Sequence, residues 1–174
     1  MLNVVFPLQT TFIDYPDDES EAIIIYILGC DHFCVGCQNP LFKNKDYNLN
    51  TKLLYPIELL LEIEKLSKRI DSNKVVLSGG DPLSKTNIED VKSLLNFNIT
   101  KKFDYMIYTG YDIEYVKTNF INGFKFIKCG NYLPEYKQDS EKTDNYLKFA
   151  STNQKLFDEN FNLISNNGVF YFNK

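Results

Sequence analysis

Three of the four cysteines fall within eight residues, in Gly29-Cys30-Asp31-His32-Phe33-Cys34-Val35-Gly36-Cys37. This C-x3-C-x2-C spacing lets one loop wrap a polynuclear metal centre and put three thiolates on three irons of a 4Fe–4S cubane. The fourth iron then has no protein ligand. Four-cysteine clusters serve electron transfer, whereas an iron left open is a position where a small molecule can bind. Gly29 and Gly36 allow the backbone to come close to the metal. Cys30, Cys34 and Cys37 are therefore the expected metal ligands.

Other chemistries compete for the same residues. Zinc could use His32 as a fourth ligand, but zinc spacings usually come as two separated pairs, and His32 is too close in sequence to Cys30 and Cys34 for an easy tetrahedron. Inert buried cysteines would not explain three thiols in one short polar loop, and a disulfide suits an oxidising compartment. Cys129 could supply a fourth thiolate or be a small buried residue at a strand end, and the second is the ordinary meaning of a lone cysteine. His32 is expected near the cluster and not on it.

The elements that must position this loop are legible as a repeating pattern. Ala22–Leu28 is an unbroken β-branched and aromatic run that fits a strand buried on both faces, as in a parallel sheet. Lys74–Leu77, Tyr105–Tyr108 and Phe124–Lys128 read as further strands, and Val4–Phe6 as a short one before the polar turn Tyr15-Pro16-Asp17-Asp18-Glu19. Pro56–Ile70 reads as a helix, with Pro56 in its first turn and Leu59, Leu60, Ile63, Leu66 and Ile70 at helical spacing. Thr86-Asn87-Ile88-Glu89 reads as a capping box opening a second helix, and Asp112 as the cap of a short helix through Phe120. Strand–helix alternation predicts an α/β fold, a compact partial (β/α) barrel with a mostly parallel sheet. At the end, Phe161–Ser165, Asn167-Gly168 and Val169–Phe172 read as a hairpin with a type I′ turn. The polar tail from Tyr132 to Asp158 has no assigned element. Each notable motif follows a strand, at the carboxyl edge where α/β folds bind ligands.

Composition bounds the role. The chain has 174 residues, 44% hydrophobic and 24% charged, with formal net charge −4. This suits one domain over residues 1–174. A mildly acidic balance, Arg69 as the lone arginine and no dense lysine run argue against a nucleic-acid partner. No apolar stretch approaches the roughly 20 residues of a membrane span. The N-terminus lacks a basic segment followed by an apolar one, so no secretory signal is read. A cytoplasmic protein with no membrane contact is the expectation, and there clustered cysteines mean metal or catalysis.

The cysteine loop together with Gly79-Gly80-Asp81 after the second core strand resembles the radical S-adenosylmethionine superfamily. Within it, four segments resemble the activating proteins of anaerobic (class III) ribonucleotide reductase. They are Gly29-Cys30-x-His32-x-Cys34-x-Gly36-Cys37-x-Asn39, Leu77-Ser78-Gly79-Gly80-Asp81-Pro82-Leu83, Tyr108-Thr109-Gly110-Tyr111 and Ser151-x-Asn153-Gln154. The resemblance implies a 4Fe–4S cluster and S-adenosylmethionine as cofactors. It also implies reductive cleavage to a 5′-deoxyadenosyl radical, and hydrogen abstraction from a glycine of the reductase large subunit. An electron donor such as a flavodoxin-type protein is implied as a second partner. Gly79, Gly80 and Asp81 would cradle the methionine end, Gly36, Cys37 and Gln38 would lie toward the adenine, and Thr109 would contact ribose or methionine. Ser151, Asn153 and Gln154 would serve the partner or the fold.

Three departures stand out: Tyr15-Pro16-Asp17-Asp18-Glu19 where the family often has Gly-Pro-Gly, Gln38 for an aromatic residue, and Lys148-Phe149-Ala150 for Trp-Arg-Gly. The first and third bear on partner contacts, the second on the adenine. Two alternatives remain at this level. One is another small radical enzyme, either an activator of a different glycyl-radical enzyme or a 7-carboxy-7-deazaguanine synthase. The other is a non-enzymatic iron–sulfur electron carrier.

Overall fold

Four runs of β-branched and aromatic residues set the centre of the molecule. The computed structural model describes residues 1–172 apart from 18, 49, 99, 101, 120 and 139–145. Along the chain it forms β1 (Leu2–Val5), β2 (Gln9–Thr11), β3 (Ala22–Ile27), β4 (Thr51–Leu54), α1 (Pro56–Ile70), β5 (Lys74–Gly79), α2 (Ile88–Phe97), β6 (Asp104–Thr109), α3 (Ile113–Thr118), β7 (Phe124–Cys129), β8 (Tyr146–Lys148), β9 (Lys155–Asp158), β10 (Leu163–Ser165) and β11 (Val169–Tyr171). Of the sequence features named above, Asp18 in the polar turn and Phe120 at the end of the short helix lie outside the described residues.

β3, β5, β6 and β7 are parallel neighbours, and their register sorts the side chains by face. Ile25, Leu77, Ile107 and Ile127 form one cross-strand row. That row joins Leu59 and Ile63 of α1, Val91 and Leu94 of α2 and Val116 of α3 in the larger core. Ile24, Val76, Met106 and Phe126 form the row on the opposite face, under Tyr15, Leu147, Phe149 and Phe170. A strand buried on both faces must be apolar without alternation, which is why Ala22–Ile27 reads as a continuous run.

Antiparallel strands extend this parallel centre on both sides. The order is β10-β9-β7-β6-β5-β3-β1-β4, with β2 also on β3. The end strands β10 and β4 do not pair, so the sheet is an unclosed, partial barrel. The C-terminal segments are antiparallel, but the expected hairpin arms do not pair with each other. β10 pairs with β9, and β11 pairs with β8 in a small separate sheet. A type I′ turn needs positive φ at both central residues, and Gly168 has it while Asn167 does not. The Asn167 side-chain oxygen instead accepts bonds from the Ser165 hydroxyl (3.0 Å) and the Val169 N–H (3.2 Å), turning the chain from one sheet to the other.

α1 begins and ends where its sequence signals lie. Pro56 takes the first turn, and the Glu58 carboxylate accepts the Tyr55 N–H at 2.8 Å. Asp71 closes the helix in the left-handed conformation. The capping box at Thr86–Glu89 does not form. Asn87 occupies the cap position without a side-chain bond to the helix, because its amide is engaged elsewhere. No helix among the described residues is long and apolar enough to cross a membrane.

Ile25 is fully buried at the centre of the helix-facing row. Ile25→Ala is expected to cost about 2–5 kcal/mol by leaving a cavity there, read as a lower midpoint in equilibrium urea unfolding with an unchanged slope.

Candidate metal centre

The parallel register brings four strand ends to one edge, and a loop leaves each. The cysteine loop follows β3, Gly80–Leu83 follows β5, Gly110-Tyr111 follows β6 and Gly130 follows β7. The first two loops touch backbone to backbone. The Gly80 N–H donates to the Ile27 carbonyl, the Asp81 N–H to the Gly29 carbonyl, and the Gly29 N–H to the Phe42 carbonyl, each at 2.8 Å. A Cβ on Gly80 would lie 2.5 Å from the Gly29 and Phe42 carbonyl oxygens, and one on Gly79, whose φ is +116°, 2.5 Å from the Ile27 backbone. Only glycine permits this approach.

The Asp81 side chain, 0% exposed, ties three loops together. Oδ1 accepts the Leu83 N–H (2.8 Å), Oδ2 accepts the Gly110 N–H (2.8 Å) and lies 2.8 Å from His32 Nε2, and the Thr109 hydroxyl is 3.0 Å from both oxygens. Asp81 contributes to the cavity by fixing its walls. Asp31 makes a parallel tie, accepting the Lys85 N–H (2.7 Å) and the Tyr111 hydroxyl (3.0 Å). The His32 and Tyr111 rings meet edge-on at 4.5 Å. The two residues that follow Cys30 thus lock the metal loop to its neighbours, which accounts for the Thr-Gly-Tyr segment.

The loops enclose a cavity of about 150 Å³. Cys30, Cys34 and Cys37 line it, facing Gly79, Gly80, Asp81 and Thr109, with Gln38 at the edge. Gly36 is exposed and lies off the cavity wall, beside Tyr132. All four cysteines are free thiols. Among the described residues no three His, Cys, Asp or Glu side chains gather closely enough for a single metal ion, and His32 is committed to Asp81. Three thiols spread over one cavity wall match the donor set of a cluster better than that of a zinc ion. Cys129 faces the helix side, in the core with Ile127, and does not reach the cavity.

Burial pushes the Cys30 thiol up to about 11, although the His32 N–H, 3.4 Å from its sulfur, opposes this. A metal ligated by this thiolate would have to displace that proton, so loading it would release protons.

Two residues at this edge escape a reading by motif. Asn87 is fully buried, and its amide donates to the carbonyls of Leu28 (2.9 Å), Gly29 (3.4 Å) and Asp81 (3.0 Å), bridging the metal loop and the glycine loop. The capping-box pattern puts the cap one residue earlier, at Thr86; the helix begins so that Asn87 takes that position without capping it. Lys128 also lines the cavity, and burial pushes its ammonium down to about 8. The signal there was a charge at the carboxyl end of the strand, on the face opposite Ile127. Ser151, Asn153 and Gln154 hold the loop after β7: Ser151 Oγ accepts the Leu133 N–H (3.4 Å), and the Asn153 and Gln154 amides donate to the Asn131 and Gly130 carbonyls (2.9 Å each).

Burial raises the Cys129 thiol from 9.0 to about 12. The unfolded chain therefore loses this proton first as pH rises, and stability falls above pH 9.0 by up to about 1.4 kcal/mol per pH unit from this group. Below that pH the thiol is protonated in both states and contributes no slope. Cys129→Ala should flatten the decline between pH 9 and 11 in urea unfolding of the apoprotein, and should keep the iron content of the reconstituted protein at the wild-type level.

Residues 21–157 match the family model of the 4Fe–4S single cluster domain. The chain is 23% identical over 147 residues to the anaerobic ribonucleoside-triphosphate reductase-activating protein of Enterobacteria phage T4, covering 83% of this chain and 88% of that protein. It is 30% identical over 111 residues to the protein of the same name from Haemophilus influenzae, covering 58% and 67%. With the matched region spanning the cysteine loop and the strands that carry it, the chain belongs to the 4Fe–4S single cluster domain family, of the radical S-adenosylmethionine type, and is a distant homologue of the anaerobic ribonucleotide reductase-activating proteins.

Proposed function

We propose that this protein holds one 4Fe–4S cluster on Cys30, Cys34 and Cys37, binds S-adenosylmethionine at the open iron and generates a glycyl radical on an anaerobic ribonucleotide reductase. The observation that carries this reading is the single cavity that three thiols share with the Gly79–Asp81 loop and Thr109. The fourth thiol, Cys129, does not line it, which leaves one iron of such a cluster open to a cosubstrate. The relatives at 23% and 30% identity, both named as activating proteins of that reductase, support the choice of partner.

When bound, such a cluster supplies one electron to S-adenosylmethionine, whose carbon–sulfur bond breaks to methionine and a 5′-deoxyadenosyl radical that takes a hydrogen atom from a glycine Cα of the reductase. This chain's residues hold, orient and shield. Cys30, Cys34 and Cys37 are the thiolate ligands. The N–H groups of Gly80 and Asp81 are spent on Ile27 and Gly29, so the glycine loop offers carbonyl oxygens, acceptors suited to the amine of methionine. Asp81, Thr109 and Asn87 keep that loop at a fixed distance from Cys30, which is the proximity that a short-lived radical requires. Gln38, which lines the cavity next to the third thiol, would lie toward the adenine. An external one-electron donor such as a flavodoxin-type protein completes the cycle.

The test is anaerobic reconstitution with iron and sulfide, followed by EPR of the reduced protein with and without S-adenosylmethionine. The expected result is a reduced-cluster signal that changes when S-adenosylmethionine is added. Incubation with an anaerobic reductase should then give a glycyl-radical doublet on the partner. Cys34→Ala should lose the intact cluster and cosubstrate cleavage, at least a hundredfold in rate by the scale of losing an essential group. A cluster signal indifferent to S-adenosylmethionine would leave an electron carrier. Cosubstrate cleavage without any radical on the reductase would leave a radical enzyme with another target.

A further inference from the structure

The interior face of the barrel ends, at its upper edge, in one row of four side chains. Tyr26 pairs with Ser78, and Tyr108 with Lys128. Ser78 and Tyr108 follow Leu77 and Ile107, which pair across β5 and β6. The row beneath is entirely apolar: Ile24, Val76, Met106 and Phe126. Lys128 is thus the one cation of the upper row, and with Ser78 and Tyr108 it lines the cavity of the three thiols.

Its surroundings give that charge no partner. Lys128 is 8% exposed, with its ammonium 5.1 Å from the Tyr108 ring centroid and 5.8 Å from that of Phe149. It forms no ion pair among the described residues. Cys129, Asp81 and Cys34 act on it only through space, and the oxygens of Asp81 are filled by Leu83, Gly110, Thr109 and His32. The other lysine of the cavity, Lys43, donates to the Cys34 carbonyl at 3.4 Å. Aromatic faces compensate a desolvated ammonium only in part, and a buried charge without an opposite charge is unfavourable. Such a group is set for an anion that arrives in the cavity.

We propose that Lys128 is the fixed counter-charge of the cluster and raises its reduction potential. This rests on the reading of Cys30, Cys34 and Cys37 as cluster ligands. Each thiolate brings one negative charge to the cavity, and reduction adds one more. A cation in the wall of the same cavity stabilises the reduced state more than the oxidised state, because the added electron is an added negative charge and the buried ammonium is poorly screened by water. Lys128 acts through the metal and touches no reacting atom, so it is a positioning residue of an electrostatic kind.

The measurement is an EPR-monitored redox titration of the reconstituted full chain, without S-adenosylmethionine. Lys128→Met keeps the length and apolar stem. It should load wild-type iron and shift the midpoint to more negative potential, by about a tenfold change in the oxidised-to-reduced ratio, or 59 mV for one electron. Lys128→Arg should stay close to wild type. Lys128→Gln is titrated in the same way and decides the matter should the Met variant fail to load iron. A midpoint unchanged in an iron-replete neutral variant overturns the assignment. So does an unchanged midpoint together with a weakened change of the EPR signal when S-adenosylmethionine is added after the titration, which would make Lys128 a carboxylate contact of the cosubstrate. If the wild type itself gives no cluster signal, the ligand reading falls and takes this assignment with it.

Discussion

The Asp81 carboxylate organises the site. A buried carboxylate is costly unless donors surround it, and this one collects the Leu83 and Gly110 N–H groups and the Thr109 hydroxyl, with His32 at 2.8 Å. Those partners belong to the glycine loop (Leu83), to the end of β6 and the loop that leaves it (Thr109 and Gly110), and to the metal loop (His32). Satisfying one side chain therefore fixes the glycine loop, the loop after β6 and the metal loop relative to one another. Loops at a sheet edge are otherwise the most mobile parts of an α/β fold. A carboxylate two atoms from its backbone, reached by short bonds, converts them into a wall.

That wall depends on a division of labour between faces of the sheet. One row of side chains, from Ile25 to Ile127, is spent on the helices, and the row from Ile24 to Phe126 on the interior. Only the last residues of each strand are left to do chemistry. The backbone contacts at the edge need Gly79 and Gly80, because any Cβ there would collide with the first core strand or the metal loop. Asn87 supplies the remaining tie. At the head of a helix it would ordinarily cap, and here it gives that bond up to join three carbonyls of the two loops. The helix offsets part of this loss with Glu89 and Asp90 in its first turn.

Much of this was legible in the residues. The four parallel strands, α1 with its Pro56 start, the partial barrel and the convergence of the cysteine, glycine and Thr-Gly-Tyr loops follow from apolar periodicity and from motifs at strand ends, whereas the short antiparallel strands β2, β4, β8 and β9 carry no such signal. What escaped has a common cause, a side chain whose partner is far away in sequence. Asn87 reads as an ordinary member of a capping box led by Thr86, because local spacing cannot reveal Leu28 and Gly29 beside it. Asn167-Gly168 reads as a hairpin turn because pairing is assumed between neighbours, whereas β9 and β8 were the available partners. Ser151, Asn153 and Gln154 could not be divided between partner and fold until their bonds to residues 130–133 were seen. Asp81 carries charge in a motif, and nothing local says that it points inward.

The departures from the family pattern follow the same physics. Where hydrogen bonds tie the loops together, through Asp31, His32, Asp81, Thr109 and Tyr111, a change at either shared carboxylate would strand several partners at once. Gln38 and Ala150 line the cavity on the side those ties do not reach, and Phe149 lies under Lys128. Phe33 and Val35, on the outer face of the metal loop, are 94% and 76% exposed. Residues of this kind can change one at a time, because each is held by packing on one side only. The molecule thus separates a rigid half, which sets the distance between thiols and glycine loop, from a permissive half, where size and charge can be altered without moving the thiols.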